Sequence, residues 1–415
     1  MSAVLERSLK IARFAVGDIL WKLANIAILA VAARVLPAEQ AALVVLSQTA
    51  SMILLSLGDL GFRSTGIRLL ALEPSQTRTV MRAVLQRRLL SVVSIGLPGA
   101  AICSVIITDS AETFALLMLL VVAYLPYFLA SEWSLLALGR TGFVAIARSV
   151  YAAILLLLAW LALMINADIY FFVMMIALAY TGMSMSSLAM MRWVLRASVV
   201  AEKPAILNIQ RELSLSASLA LAAAFALNTL FHSLEIILVG AFLGEADSSV
   251  FAAPFRLVFS VYAIGWVLAQ YFSPKFARLM SSSEGYARYW MAYLSGFLTF
   301  GCVSAIATFL MAEWLVLLVY QGAFPEATSL LRTLSPSIAL DAVVACLGTM
   351  LVMQNRGKAA SISIGLGCMA SAAVFFMLMD KGVMSAVYAK YAAYSGLALS
   401  QIVCLRAGRR ISIKA

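Results

Sequence analysis

Apolar residues fall along this chain in long, nearly unbroken blocks. Neither the strict alternation of half-buried strands nor the one-sided stripe of a soluble helix is present. About twelve blocks approach or exceed the ~20 residues that a helix needs to cross a hydrocarbon core of about 30 Å. In the first half they cover 11–34, 41–62, 89–107, 113–138, 149–166 and 170–191. In the second they cover 214–243, 249–273, 289–311, 329–353, 359–379 and 383–405. Between the ninth and tenth blocks, AEWLVLLVY (312–320) reads either as an extension of the ninth span or as a short interfacial turn.

Charge sits between the blocks and is sorted by side. The N-terminus, the connectors 63–88, 139–148, 192–213, 274–288 and 354–358, and the C-terminal tail hold most of the Lys and Arg. The alternate loops carry Asp109, Glu112, Asp168, Glu245, Asp247 and Glu326, with little basic beyond Arg34, Arg332 and Lys381. The positive-inside rule then places both termini in the cytoplasm of a multi-pass plasma (inner) membrane protein. The run from Ile11 to Ala33 is too long for a signal-peptide core and holds Asp18 and Lys22, so it reads as a retained first helix. Connector 63–88 is longer than a turn requires. It places Ile67, Leu70 and Ala71 on one helical face before Pro74, and Val80 and Val84 on another after it. That pattern suits an interfacial segment on anionic headgroups or a solvated basic loop.

Composition agrees with a membrane solvent. Of 415 residues, 64% are hydrophobic and 12% charged, against roughly 45–50% and about 25% in soluble domains. A net charge of +11 would suit a nucleic-acid partner, but its confinement to loops between spans excludes one. Cys103, Cys302, Cys346, Cys368 and Cys404 lie in apolar runs without a C-x-x-C pair and read as small buried hydrophobes. With a single histidine, His232, no metal site is expected, and no cofactor.

The halves are internally related. Residues 20–37, LWKLANIAILAVAARVLP, align with 227–244, LNTLFHSLEIILVGAFLG, with Arg68 answering Lys275 further on. LLALGRTGFVAIA (135–147) aligns with LVMQNRGKAASIS (351–363), matching Arg140 to Arg356. An even number of spans per half makes these parallel repeats, with the substrate path between two bundles that rock. The fold expected is therefore an all-α polytopic membrane protein: two pseudo-symmetric six-helix bundles, 1–205 and 206–415, around a central cavity.

Ionisable residues inside the spans each need a partner or a wet cavity, because a charge at the bilayer centre costs roughly 2.5–3.5 kcal/mol even on lenient scales. Asp18 and Lys22 share a helical face at i,i+4 and pair. Glu235 and Arg256 lie at matching depths in neighbouring spans, which suggests a second pair. His232 stands at i,i+3 from Glu235, on the face where protons can be relayed, and Asp341 is the most central carboxylate of the second half. Glu132 reads as structural, with Arg140 or Arg148 as partner, and Lys390 is long enough to snorkel outward. A cavity edged by Lys22 and Arg256 attracts an anion such as pyrophosphate; one dominated by Asp18, Glu235 and Asp341 attracts a cation.

AARVLPAEQAALVVLSQ followed by LLSLGDLGFRSTGIRLLA (54–71) resembles the opening of polysaccharide flippases, within the multidrug/oligosaccharidyl-lipid/polysaccharide exporter superfamily. The turn Arg34-Val35-Leu36-Pro37, the stretch Asp59-Leu60-Gly61, the Glu132-Trp133 pair before Gly139-Arg140, and LLVMQNRGKAASIS carry the likeness. Span four departs from it in lacking a glutamine-glycine before its charged turn, and 312–320 is unusually apolar. The resemblance implies flipping of a polyprenyl-pyrophosphate-linked oligosaccharide to the outer leaflet by alternating access, for cell-surface or exopolysaccharide assembly. Polymerase and glycosyltransferases would be its partners, beside membrane lipids. It also implies Lys22 and Arg256 as phosphate contacts, oriented by Asp18 and Glu235. The rival reading is an ion-coupled antiporter of drugs or organic cations from the same superfamily, driven by H+ or Na+, with Asp341 and His232 as coupling residues and Asp18 or Glu235 as further ion sites. Gly58-Asp59 before Arg63 hints at a major-facilitator motif whose remainder is missing. Short external loops leave no room for an enzyme's catalytic residues.

Overall fold

A computed structural model describes residues 3–107, 110–197, 212–213, 215–281, 286–320 and 326–412. Every element in it is helical. Contacts divide the chain into two compact units, Met1–Ala222 and Ala223–Ala415. Among the described residues, eight helices are long and apolar enough to cross a membrane, or nine if one bent pair forms a single span. Their outward faces carry large apolar side chains such as Val16, Ile26, Leu157, Trp160, Met369 and Met377, all exposed. Such faces belong in lipid, and the chain is a multi-pass membrane protein.

In the first unit, α1 (Ala3–Val35) and α2 (Ala38–Asp59) are followed by α3 (Phe62–Leu72) and α4 (Thr77–Ser91). A five-residue π turn, Val92–Gly96, leads into α5 (Leu97–Ile107). Then come α6 (Ala111–Val122), α7 (Glu132–Ala137), α8 (Thr141–Ile165) and α9 (Ile169–Ala197). Connector 63–88 is thus largely helical. Ile67, Leu70, Ala71, Val80 and Val84 are all buried in the unit, so its apolar faces meet protein and not headgroups. Gly66 permits this: a Cβ there would lie 2.6 Å from the Trp133 ring, which lets α3 close against α7.

Block 113–138 is broken. Pro126, lacking an N–H, turns residues Leu125–Leu129 into a 3₁₀ segment between α6 and α7. Irregular backbone at membrane depth persists only where protein satisfies it, and serines of α9 do so. Ser184 donates to the Pro126 carbonyl at 2.5 Å, and the Ser131 N–H donates to Ser187 Oγ at 3.0 Å.

The second unit contains most of α10 (Leu215–Phe242), whose first residues precede the division. It continues with α11 (Glu245–Ser281), α12 (Tyr286–Leu310), α13 (Ala312–Tyr320), α14 (Ala327–Leu334), α15 (Ser337–Met353), α16 (Gly357–Met377) and α17 (Met384–Ser412). Segment 312–320 is a helix of its own beyond a turn at Met311. Block 329–353 bends by 42° between α14 and α15, at Ser335-Pro336.

Helices α1 and α8 pack against each other closely at Gly17, where an added Cβ would sit 2.7 Å from the Ala145 Cα and 2.9 Å from its carbonyl oxygen. Backbone cannot yield there as a side chain can. Gly17→Leu is expected to cost at least the 1–3 kcal/mol typical of overpacking, read as a lower unfolding midpoint in detergent. An unchanged midpoint would mean that the two helices separate freely.

Candidate functional site

Among the described residues, buried charged side chains gather in two clusters, one inside each unit, besides the separate ion pairs Arg68–Glu212 and Arg332–Glu313. In the first, four cations alternate with three carboxylates. Lys22 Nζ lies 2.8 Å from Asp18 Oδ2, and Asp18 Oδ1 lies 2.6 Å from Arg148 Nη1. Arg148 Nε continues to Glu132 Oε2 at 3.0 Å, and Glu132 Oε1 to Arg63 Nη2 at 2.6 Å. The Arg63 backbone N–H donates to Asp59 Oδ2, whose other oxygen lies 2.7 Å from Arg88 Nε. Arg63 Nη1 also donates to the Tyr127 hydroxyl at 2.7 Å. The chain of charges ties α1, α2, α3, α4, α7 and α8 together. Arg148 is buried and further covered by the rings of Phe14 and Trp21.

Sequence reading finds the Asp18–Lys22 pair and one of its two candidate partners for Glu132, Arg148. Arg63 and Arg88 are missed as members because connector charges are read as solvated, and Asp59, at the end of span two, because it is read only as part of a turn motif. Yet Asp59 and Arg63 stand at i,i+4, the same signal that marks Asp18 and Lys22. Only Lys22 is substantially open, its side chain 38% exposed.

The second cluster gathers around Glu235 on α10. Its partner is Lys390 of α17, Nζ to Oε2 at 2.8 Å, with both side chains at most 1% exposed. The expected pairing with Arg256 is not formed. Arg256 is exposed on α11, because matching depth along two helices does not fix the direction in which each side chain points. Lys390 does not snorkel outward either. It donates to the Phe231 carbonyl at 3.0 Å and lies about 5 Å from the ring centres of Phe231, Phe255 and Tyr394. Ser371 of α16 donates to Glu235 Oε1 at 2.7 Å, so both oxygens of Glu235 are taken.

Asp341 of α15 is 2% exposed and accepts from the Tyr394 hydroxyl at 3.2 Å. Its Oδ2 accepts no well-formed hydrogen bond, and no Lys or Arg forms an ion pair with it among the described residues. Beside Tyr394 stands Tyr262, 5.7 Å between ring centres, its hydroxyl 2.6 Å from Ser337 Oγ. His232 is boxed by Phe231, Phe259, Trp266 and both tyrosines, the Trp266 ring centre 4.8 Å away. Its Nδ1 is buried without a hydrogen bond, and its surroundings are aromatic. Tyr394 is the shared element: its ring underlies Lys390 while its hydroxyl holds Asp341.

Among the described residues, no three His, Cys, Asp or Glu side chains come together at metal-binding spacing. Cys346 is a buried thiol as expected, Cys368 and Cys404 are partly covered, and Cys302 is exposed. The Cys103 side chain lies outside the described residues, as do Asp109 and the side chain of Glu245.

No family model matches the sequence, and no curated protein matches it. Solved structures are similar. An aspartate-to-asparagine variant of the Vibrio cholerae MATE transporter VcmN superposes with a TM-score of 0.76 at 14% identity, over 96% of each chain. A MATE in the straight conformation gives 0.73 at 17% identity, over 97% of this chain and 95% of that one. VcmN in its bent form gives 0.68 at 14%, again over 96% of each. Identity this low carries the architecture and nothing finer, and in architecture the chain has the fold of the MATE transporters.

Proposed function

We propose that the protein is an ion-coupled antiporter that exports organic cations, with Asp341 as the carboxylate that exchanges coupling ion for substrate. One observation carries the reading. Asp18, Asp59, Glu132 and Glu235 each face a basic partner within 3 Å, and Asp341 does not. A carboxylate this deep stays charged only beside a counter-ion, and stays alone only as the neutral acid. It is therefore built to take up and release a positive charge. The aromatic faces around it favour organic cations, and the likeness to MATE transporters supports a transport role.

The test is export in a host lacking its own efflux pumps. The wild type should raise tolerance to lipophilic cations such as ethidium. Asp341→Asn should remove that tolerance while leaving the amount of protein in the membrane unchanged. Full tolerance in Asp341→Asn would end the assignment.

A second reading, flipping of a lipid-linked oligosaccharide for surface polysaccharide assembly, rests on the sequence resemblance and on two reachable cations. Lys22 is 38% exposed and Arg256 is exposed, so each unit retains a side chain that can meet a pyrophosphate. Asp18 orients Lys22; Glu235, engaged by Lys390, does not orient Arg256. In this reading Arg256→Ala abolishes complementation of polymer export. The basic loops support cytoplasmic termini in either case, which reporter fusions at both ends would check.

A further inference from the structure

We infer that Lys390 is a resident counter-ion that makes the exchange at Asp341 specific for protons and closes it to sodium. The inference rests on the antiport reading and names its coupling ion. The second unit buries two carboxylates, Glu235 and Asp341, linked through Lys390 on the first and Tyr394 on the second, the Lys390 ammonium lying over the Tyr394 ring. Two such carboxylates would together suit a metal cation. Here an ammonium already stands at Glu235, bonded to its Oε2 and to the Phe231 carbonyl, with aromatic faces closing around it. Ser371 occupies the remaining oxygen of Glu235.

What is left at Asp341 is poor in ligands. A hard metal cation prefers a shell of about six oxygens. Asp341 is met by the Tyr394 hydroxyl and the Trp266 indole N–H, and the nearby Tyr262 hydroxyl and Ser337 Oγ are spent on each other. A proton needs no shell. It binds one carboxylate oxygen as an O–H and leaves the same way, entering from the outer side and departing to the cytoplasm as substrate moves out.

The titratable groups facing this region are accounted for by element. From α10 come His232 and Glu235, from α11 Tyr262, from α16 Cys368, and from α17 Lys390 and Tyr394. Of the cationic ones, only Lys390 is fixed in an ion pair.

Purified full-length protein in detergent provides the test, as unfolding midpoints in sodium chloride and in equimolar choline chloride. The wild type and Lys390→Arg are expected to give the same midpoint in both salts. Lys390→Gln should unfold earlier in choline and recover several degrees in sodium, and adding Asp341→Asn should abolish that recovery. A sodium-dependent midpoint in the wild type would overturn the inference. So would Lys390→Gln that ignores sodium, or that yields no folded protein even with sodium present, or a recovery that survives Asp341→Asn. None of these readings needs a transported substrate. A wild type that ignores sodium but exports no organic cation would sink the antiport reading alone.

Discussion

Arg148→Met is expected to lose about 3–5 kcal/mol of stability, the range for stripping one partner from a buried ion pair, and to leave little folded protein in the membrane. The guanidinium stands between Asp18 and Glu132, and all three side chains are at most 5% exposed. Without it two carboxylates confront each other in a site that water does not reach, and Lys22 and Arg63 each neutralise only the outer end. Arg148→Lys should fall between, since one ammonium cannot address both carboxylates as the planar fork does. Adding Asp18→Asn and Glu132→Gln to Arg148→Met should restore most of the loss. Unfolding midpoints and membrane abundance across the series are the measurement. A wild-type midpoint in Arg148→Met alone would show that the network is ornamental.

The corresponding variant of the second unit is Glu235→Gln. It leaves the ammonium of Lys390 unpaired at 0% exposure, again at about 3–5 kcal/mol. Here the repair is simpler, because the pair involves only two ionised groups. Glu235→Gln with Lys390→Met, which substitutes an apolar chain of similar length, should return the midpoint close to that of the wild type, as apolar replacements of buried pairs often do. If Glu235→Gln alone matches the wild type, Lys390 has found another carboxylate, the candidate being Asp341, which shares Tyr394 with it.

The two clusters differ in how far the sequence reveals them. Spacing within one helix is visible, so Asp18 and Lys22 can be paired without coordinates. Partners on different helices require the rotation of each helix about its axis. Hydropathy is nearly silent on that when every face is apolar, which is why Glu235 is assigned to Arg256 when it belongs to Lys390. The helical blocks themselves are plain from their length, and each contains helix in the structure. Their interruptions are less plain. Pro126 and Pro336 break their helices, while Pro254 and Pro274 lie inside α11 without ending it. The outcome depends on whether neighbours such as Ser184 supply the lost hydrogen bonds. Connector 63–88 misleads for a related reason. Arg63 and Arg88 look solvated because the carboxylates that bind them, Glu132 and Asp59, are supplied from the spans.

Pairing Lys390 with Glu235 also has an electrical consequence. A tightly held ion pair travels through an applied potential as a dipole and does almost no work against it. If Asp341 carries protons as proposed, each one crossing the full drop would do about 2.3 kcal/mol of work per 100 mV. The aromatic enclosure of one lysine would thus determine how much of the cell's voltage the second unit can feel.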